Sequence, residues 1–124
     1  MTSGKLYLVP TLLHESNAQI LLNDYIQILT VIRYFVVEDI RTARRFLRST
    51  IPDFNIDGST FWEIDKHESN PDFHFAIKTL TEGHTVGLLS EAGCPGIADP
   101  GSQLVLEAHK INIPVVPWIG PSSL

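Results

Sequence analysis

The alternation of short apolar segments with longer helical ones constrains the fold of this chain most strongly. Runs rich in β-branched and aromatic residues have the length and composition of buried strands. These runs are residues 5–9, 32–37, 60–64, 84–89 and 113–117. Helix-start signals between them stand at Ser16 or Asn17, at Asp39 and at Asn70-Pro71. Gly83 is expected to end the helix that starts at Asn70-Pro71, and residues 101–110 are predicted to be helical. Strands that alternate with helices form βαβ units, so the sequence predicts an α/β fold. We expect a mostly parallel five-stranded sheet with helices on both faces.

Length and composition fit one globular domain. The chain has 124 residues, of which 44% are hydrophobic. No apolar run approaches the roughly 18 residues of a transmembrane helix, and the N-terminus lacks a signal-peptide pattern. One cysteine cannot form an internal disulfide, which favours a cytoplasmic location. The net charge of −5 argues against indiscriminate binding to nucleic acid.

The positive charge is nevertheless concentrated in one segment. All five arginines lie within sixteen residues: Arg33, Arg41, Arg44, Arg45 and Arg48. The last four recur at helical spacing and would share one face of a helix that Asp39 caps. This face is either an ordinary solvated surface or a patch that binds a phosphate backbone.

A glycine- and proline-rich loop follows the fourth predicted strand. The loop reads SEAGCPGIADPG over residues 90–101, too many conformationally special residues for a simple turn. Two further irregular segments, 10–14 and 120–123, also follow predicted strands. Ligands bind at the carboxyl ends of parallel strands, so these three segments are candidates for a rigid, backbone-lined binding wall. The alternative is a loop with a purely structural role.

Several common sites are disfavoured. The chain has neither the G-x-G-x-x-G turn of dinucleotide-binding domains nor the P-loop of nucleotide triphosphatases. The histidines are dispersed and Cys94 stands alone, so no metal site is predicted. Cys94 has no visible partner base, which favours a packing role over a nucleophilic one.

Five motifs in order along the chain resemble the tetrapyrrole methylase superfamily, and within it the ribosomal small subunit methyltransferase I branch. They are LYLVPT at 6–11, VVEDIRTARRFL at 36–47, DKHES at 65–69, GLLSEAGCPGIADPGSQLV at 87–105 and IPVVPWIGPSSL at 113–124. The resemblance implies a methyltransferase that uses S-adenosyl-L-methionine and has two α/β domains. Residues 1–124 would be the N-terminal domain, with the C-terminal domain absent from this chain. A homodimer is expected for the full-length protein.

The resemblance also implies which residues form the site. Those expected to bind the cofactor are Leu13, Gly93, Cys94, Pro95, Gly96, Ile97, Ser122 and Ser123. Those expected to face the substrate are Glu38, Asp39, Arg41 and His67. The implied acceptor is a ribose 2′-hydroxyl of small-subunit ribosomal RNA, with the four arginines of the predicted helix against its phosphates.

Three departures from the branch's pattern keep alternatives open. The E-D-T-R-T-T of the branch's second motif is EDIRTA at 38–43 in this chain. The branch has Pro-Ile-Gly-Asn after its first VPT, whereas this chain has LLHE at 12–15. The Thr-Pro of the cofactor loop is replaced by Cys94-Pro95. The alternatives are methylation of a small-molecule or non-RNA acceptor, and a cofactor-binding module without catalysis.

Overall fold

The computed structural model describes residues 4–10, 26–65, 72–90 and 101–117. Their strands are β1 (Leu6–Pro10), β2 (Tyr34–Val37), β3 (Thr60–Glu63), β4 (Val86–Ser90) and β5 (Val115–Pro117). Their helices are α1 (residues 26–31), α2 (Ile40–Thr50), α3 (His74–Thr81) and α4 (Gly101–Lys110). The strands form one five-stranded sheet in the order β3-β2-β4-β1-β5, and every pair is parallel. The predicted α/β architecture is confirmed.

Helices cover both faces of the sheet. On one face, α1 and α2 pack over side chains that include Val9, Phe35 and Leu89. On the other face, α3 and α4 pack over side chains that include Leu6 and Val86. Successive strand residues point to opposite faces, so each strand supplies both layers of core. This two-sided burial explains why the strands are almost continuously apolar.

Helix α2 forms where its sequence predicts it. Asp39 is the N-cap, and its carboxylate Oδ1 accepts hydrogen bonds from the N–H groups of Arg41 at 3.0 Å and Thr42 at 3.4 Å. The apolar side of α2 packs inward: Ala43, Phe46 and Leu47 are buried, and Ile40 is partly buried against them. The arginines therefore occupy the outer side of α2.

Helices α3 and α4 end in the same hydrogen-bonded turn. After α3, the N–H of Gly83 donates to the Leu80 carbonyl and the N–H of His84 to the Thr79 carbonyl. This is a Schellman motif, and Gly83 adopts the left-handed φ of 100° that it requires. Asn112, at φ 63°, occupies the equivalent position after α4. Gly83 was predicted to end α3, which is confirmed.

Several element boundaries differ from the sequence predictions. Helix α3 begins at His74, after the predicted start at Asn70-Pro71, which lies outside the described residues. The carboxylate of Asp72 accepts a hydrogen bond from the His74 N–H, so this side chain supports the observed first turn. Strand β2 begins at Tyr34 instead of Ile32, because the Ile32 N–H bonds to the Leu29 carbonyl and closes the end of α1. Ile32 is thus buried without being in the sheet.

Candidate functional site

The three segments predicted to bind a cofactor leave neighbouring strands at one edge of the sheet. They follow β1, β4 and β5, and β1 lies between the other two. Pro10 at the end of β1 pairs with Ser90 at the end of β4, and Leu8 pairs with Pro117 at the end of β5. The strand ends that lead into the three segments are therefore brought together.

The cofactor candidates themselves lie outside the described residues. They are Leu13, Gly93, Cys94, Pro95, Gly96, Ile97, Ser122 and Ser123. Their assignment stays a prediction that the resemblance carries. What the structure adds is the adjacency of the strands that precede them, which could not be read from the motifs.

The helices that follow β1 and β4 pack on opposite faces of the sheet. Helix α1, on the chain that leaves β1, packs on the face that contains Val9. Helix α4, which follows the neighbouring β4, packs on the opposite face beside Leu6. Adjacent strands whose helices cross to opposite faces leave a crevice at their carboxyl ends, and ligands of open α/β sheets bind in such crevices.

The substrate-side candidates begin where β2 ends. Glu38 and Asp39 follow Val37 directly, and Arg41 lies in the first turn of α2. Glu38 is half-buried, whereas Asp39 and Arg41 are exposed. His67 lies outside the described residues. The structure thus brings three of the four candidates together beside the α2 N-terminus.

Asp39 is already engaged in the fold. Hydrogen bonds donated by backbone N–H groups, first that of Thr42, lower the pKa of the Asp39 carboxyl from its ordinary value of 3.8. A carboxylate with a lowered pKa is a weaker proton acceptor. The helix cap therefore makes Asp39 less suited to act as a general base.

Glu63 is a member of this site that the sequence interpretation missed. It ends β3, pairs with Val37 of β2, and accepts a hydrogen bond at Oε2 from the Ile40 N–H at 3.1 Å. Two carboxylates therefore bind the first N–H groups of α2, where the helix dipole favours negative charge. A signal was available in retrospect: a carboxylate at the end of a predicted strand lies at the same sheet edge as Asp39.

The arginines of α2 line a groove of about 910 Å³. Glu63, Asp39 and Ile40 border it where α2 begins. Its remaining lining residues are Arg41, Arg44, Arg45, Arg48 and Ser49. The groove is therefore polarised along α2, acidic beside the first turn and basic along the rest of the helix. Four guanidinium groups on one surface suit a polyanion.

An aromatic row, Phe54, Phe35 and Phe61, lies beside this groove. Phe35 is fully buried, and its ring is stacked on Phe61 with centroids 5.3 Å apart and tilted against Phe54 at 5.9 Å. Gly87 of the neighbouring β4 leaves room for the Phe35 ring, because a Cβ there would lie 3.3 Å from Phe35 Cδ1. The guanidinium of Arg44 lies over Phe61, with 5.6 Å from Cζ to the ring centroid.

Arg33 lies at the other end of the aromatic row. Its Cζ is 5.7 Å from the centroid of Phe54, nearly the same distance as at the Arg44 end. Its Nη1 donates hydrogen bonds to the carbonyls of Thr30 at 2.6 Å and Ile32 at 3.0 Å. Arg33 is thus bound to the backbone that leads from α1 into β2 and is separate from the groove.

The part of the chain that the structure describes contains no helix long and apolar enough to cross a membrane. Within the same residues, no three His, Cys, Asp or Glu side chains are grouped so as to hold a metal ion.

The fold and the α2 surface define a class: a parallel α/β domain with a basic groove along one helix. Comparison with known proteins goes further, although no protein-family model matches the chain. Over 119 residues the chain is 30% identical to the ribosomal RNA small subunit methyltransferase I of Vibrio cholerae, covering 96% of this chain and 39% of that protein. The protein of the same name from a Hydrogenobaculum species is 31% identical to this chain, and the match covers 97% of this chain and 50% of that protein. That of Streptococcus pyogenes serotype M6 is 34% identical over 98% of this chain and 40% of its own length.

The chain belongs to the same family as these proteins, which confirms the resemblance that its motifs carry. It spans between about two fifths and one half of the length of the relatives just named.

Proposed function

We propose that this chain is the N-terminal domain of a methyltransferase that uses S-adenosyl-L-methionine to methylate small-subunit ribosomal RNA. The family membership supports the reaction class, since the relatives bear the name of a ribosomal RNA methyltransferase. The observation that carries the proposal is the meeting of the β1, β4 and β5 carboxyl ends at one edge. That arrangement would let the three predicted cofactor-binding segments line one crevice.

The residue types of the three predicted segments match the polar groups of the cofactor. Its amino-acid tail and ribose need backbone amides, carbonyls and small hydroxyls, which the segments containing Gly93, Gly96 and Ser122 are rich in. When bound, the cofactor supplies a methyl group activated by the sulfonium. A C-terminal domain would complete the crevice from the other side.

The acceptor proposed is a ribose 2′-hydroxyl. Methyl transfer to such an oxygen is an in-line displacement, so holding the hydroxyl at the right distance and angle supplies much of the rate. The groove along α2 adjoins the cofactor edge, because β2, whose end leads into α2, is paired with β4. Phosphates held by the groove arginines would position the RNA chain on this side.

A group that accepts the hydroxyl proton would lie near the start of α2. Glu38, Asp39 and His67 are the candidates. Asp39 is the least suited of them, because the hydrogen bonds that lower its pKa also occupy its carboxylate. Glu38 and His67 therefore stay as the proposed alternatives.

Methyl transfer from labelled cofactor to RNA by the full-length protein tests the proposal. Label on small-subunit ribosomal RNA is the expected result, whereas label only on another acceptor contradicts the RNA assignment. Binding of cofactor without any transfer contradicts the enzymatic reading and leaves a cofactor-binding module.

The groove arginines are tested in the same protein with the double variant Arg45→Ala/Arg48→Ala. Each lost phosphate contact should reduce the slope of log affinity against log salt concentration by about 0.7 for single-stranded RNA. The matched control is Lys78→Ala, which removes an exposed cation from α3 on the opposite face. An unchanged salt slope in the double variant would remove the groove from the RNA-binding surface.

A further inference from the structure

We propose that Arg44 is a stacking platform for an unpaired nucleobase, so that the groove binds single-stranded RNA in preference to duplex. This inference rests on the proposed RNA-binding function and adds the form of RNA that the groove selects. It is carried by the contacts of one side chain: Arg44 lines the groove and lies over the ring of Phe61.

The support beneath Arg44 is rigid. Phe61 is half-buried and stacks at an interplanar angle of 15° on Phe35, which has no exposed surface. Phe35 in turn contacts Phe54, so the platform rests on three rings of the core. A group held in place before binding loses less conformational freedom when a ligand arrives, which favours affinity.

The outer side of Arg44 is available to a ligand. The Arg44 side chain is exposed. The same side chain that contacts the Phe61 ring also lines the groove. A planar, delocalised cation in this position can stack on a second π-system.

A nucleobase is the π-system that fits the surrounding charge. Arg45 and Arg48 attract phosphates along the basic part of the groove, whereas Asp39 and Glu63 repel them at its acidic border. A neutral base avoids that repulsion while its own phosphate contacts the arginines. Unpaired bases stack on aromatic rings and on arginine planes, but the bases of an RNA duplex are stacked on each other and cannot reach such a platform.

The test compares Arg44→Lys with Arg33→Lys in the full-length protein. Both variants retain the positive charge and remove a planar guanidinium from an aromatic ring, but only Arg44 lines the groove. The probe is a short single-stranded RNA that carries 2-aminopurine at successive positions, whose fluorescence is quenched when the base stacks. The same strand annealed to its complement is the duplex probe.

We expect Arg44→Lys to weaken binding of the single strand by about five- to tenfold and to abolish the quenching. Its salt slope and its affinity for duplex should equal those of the unmodified protein, because the charge is kept. Arg33→Lys should leave RNA affinity and quenching unchanged. Thermal unfolding of both variants shows whether either change acts through the fold.

Wild-type affinity and quenching in Arg44→Lys would overturn the stacking platform while salt-dependent RNA binding continued to support the proposed function. Equal weakening of single-strand and duplex binding would also overturn it, since Arg44 would then act only as a charge. No binding of either RNA by the unmodified protein would reject RNA binding by the groove and the platform with it.

Discussion

The two ends of the aromatic row look alike and differ in what their arginines bind. Arg33 over Phe54 and Arg44 over Phe61 have nearly equal distances from guanidinium to ring, 5.7 Å and 5.6 Å. Arg33 also donates hydrogen bonds to two backbone carbonyls, those of Thr30 and Ile32. Arg44 instead lines the groove of α2.

This difference separates a stabilising arginine from one that can recognise a ligand. Arginine has five donors in a fixed fork, and the Nη1 donors of Arg33, which are bound to carbonyls of the same chain, do not reach a phosphate or a base. The cation–π contact alone does not distinguish the two roles. The hydrogen bonds around the guanidinium do, and this comparison leads to predictions in order of decreasing effect.

The largest effect on stability is expected at the centre of the aromatic row, because a change there removes the ring that supports both ends. Phe35→Ala removes a fully buried ring that contacts both Phe54 and Phe61. The free energy of unfolding should fall by about 3–5 kcal/mol, because the cavity cannot be filled by rigid neighbours. Denaturant unfolding followed by circular dichroism measures this loss. A loss below about 1 kcal/mol would mean that the row is not part of the packed core.

An intermediate effect is expected from removing the arginines one at a time. Arg33→Ala should lower the free energy of unfolding by about 1–2 kcal/mol, since two hydrogen bonds to carbonyls are lost together with the ring contact. Arg44→Ala should lower it by less than about 1 kcal/mol, because its contact with Phe61 is an exposed cation–π contact.

RNA affinity should respond in the opposite order, with Arg44→Ala weakening binding and Arg33→Ala leaving it unchanged. Unfolding curves and binding isotherms on the same two variants test both halves of the comparison. Weaker RNA binding by a well-folded Arg33→Ala protein would show that the two ends do not have separate roles.

The smallest effect concerns pH at the Arg44 end. The pKa of the Asp39 carboxyl is lowered in the folded protein, chiefly by the hydrogen bond from the Thr42 N–H. The stability it contributes is therefore complete above its ordinary value of 3.8 and is lost as pH falls through the lower folded value. Below that range the first turn of α2 should loosen.

Asp39→Ser is the matched control for this prediction, because serine caps helices without titrating in this range. The difference in unfolding free energy between the two proteins should shrink as pH is lowered through the folded pKa. A difference that stays constant with pH would mean that the carboxylate contributes nothing to the cap.

Much of the fold follows from local patterns in the sequence. The bounds of α4 agree with the prediction, α2 begins next to the predicted cap, and Gly83 ends α3 as expected. These features depend on residues within about four positions of each other, since caps, turns and helical periodicity are local. The alternation of strands and helices likewise determined the parallel sheet and its two covered faces.

The site was predictable only in part. The motifs indicate which segments bind a cofactor, but they do not give the strand order that places β1 between β4 and β5. The contact between Glu63 and Ile40 spans 23 residues, so the position of Glu63 at a strand end indicates the sheet edge but not this hydrogen bond. Nor does a local pattern indicate the position of Arg44 over Phe61, which joins a helix to the neighbouring strand.

The sequence by itself thus determined the class of fold, the family and the presence of a basic helix face. Only the tertiary structure decided which arginine is bound to the backbone and which lines a groove, and which strand ends share an edge. The physical reason is that periodicity and capping are energies between near neighbours along the chain. Packing of rings and pairing of strands instead depend on segments that are distant in sequence and meet only when the sheet forms.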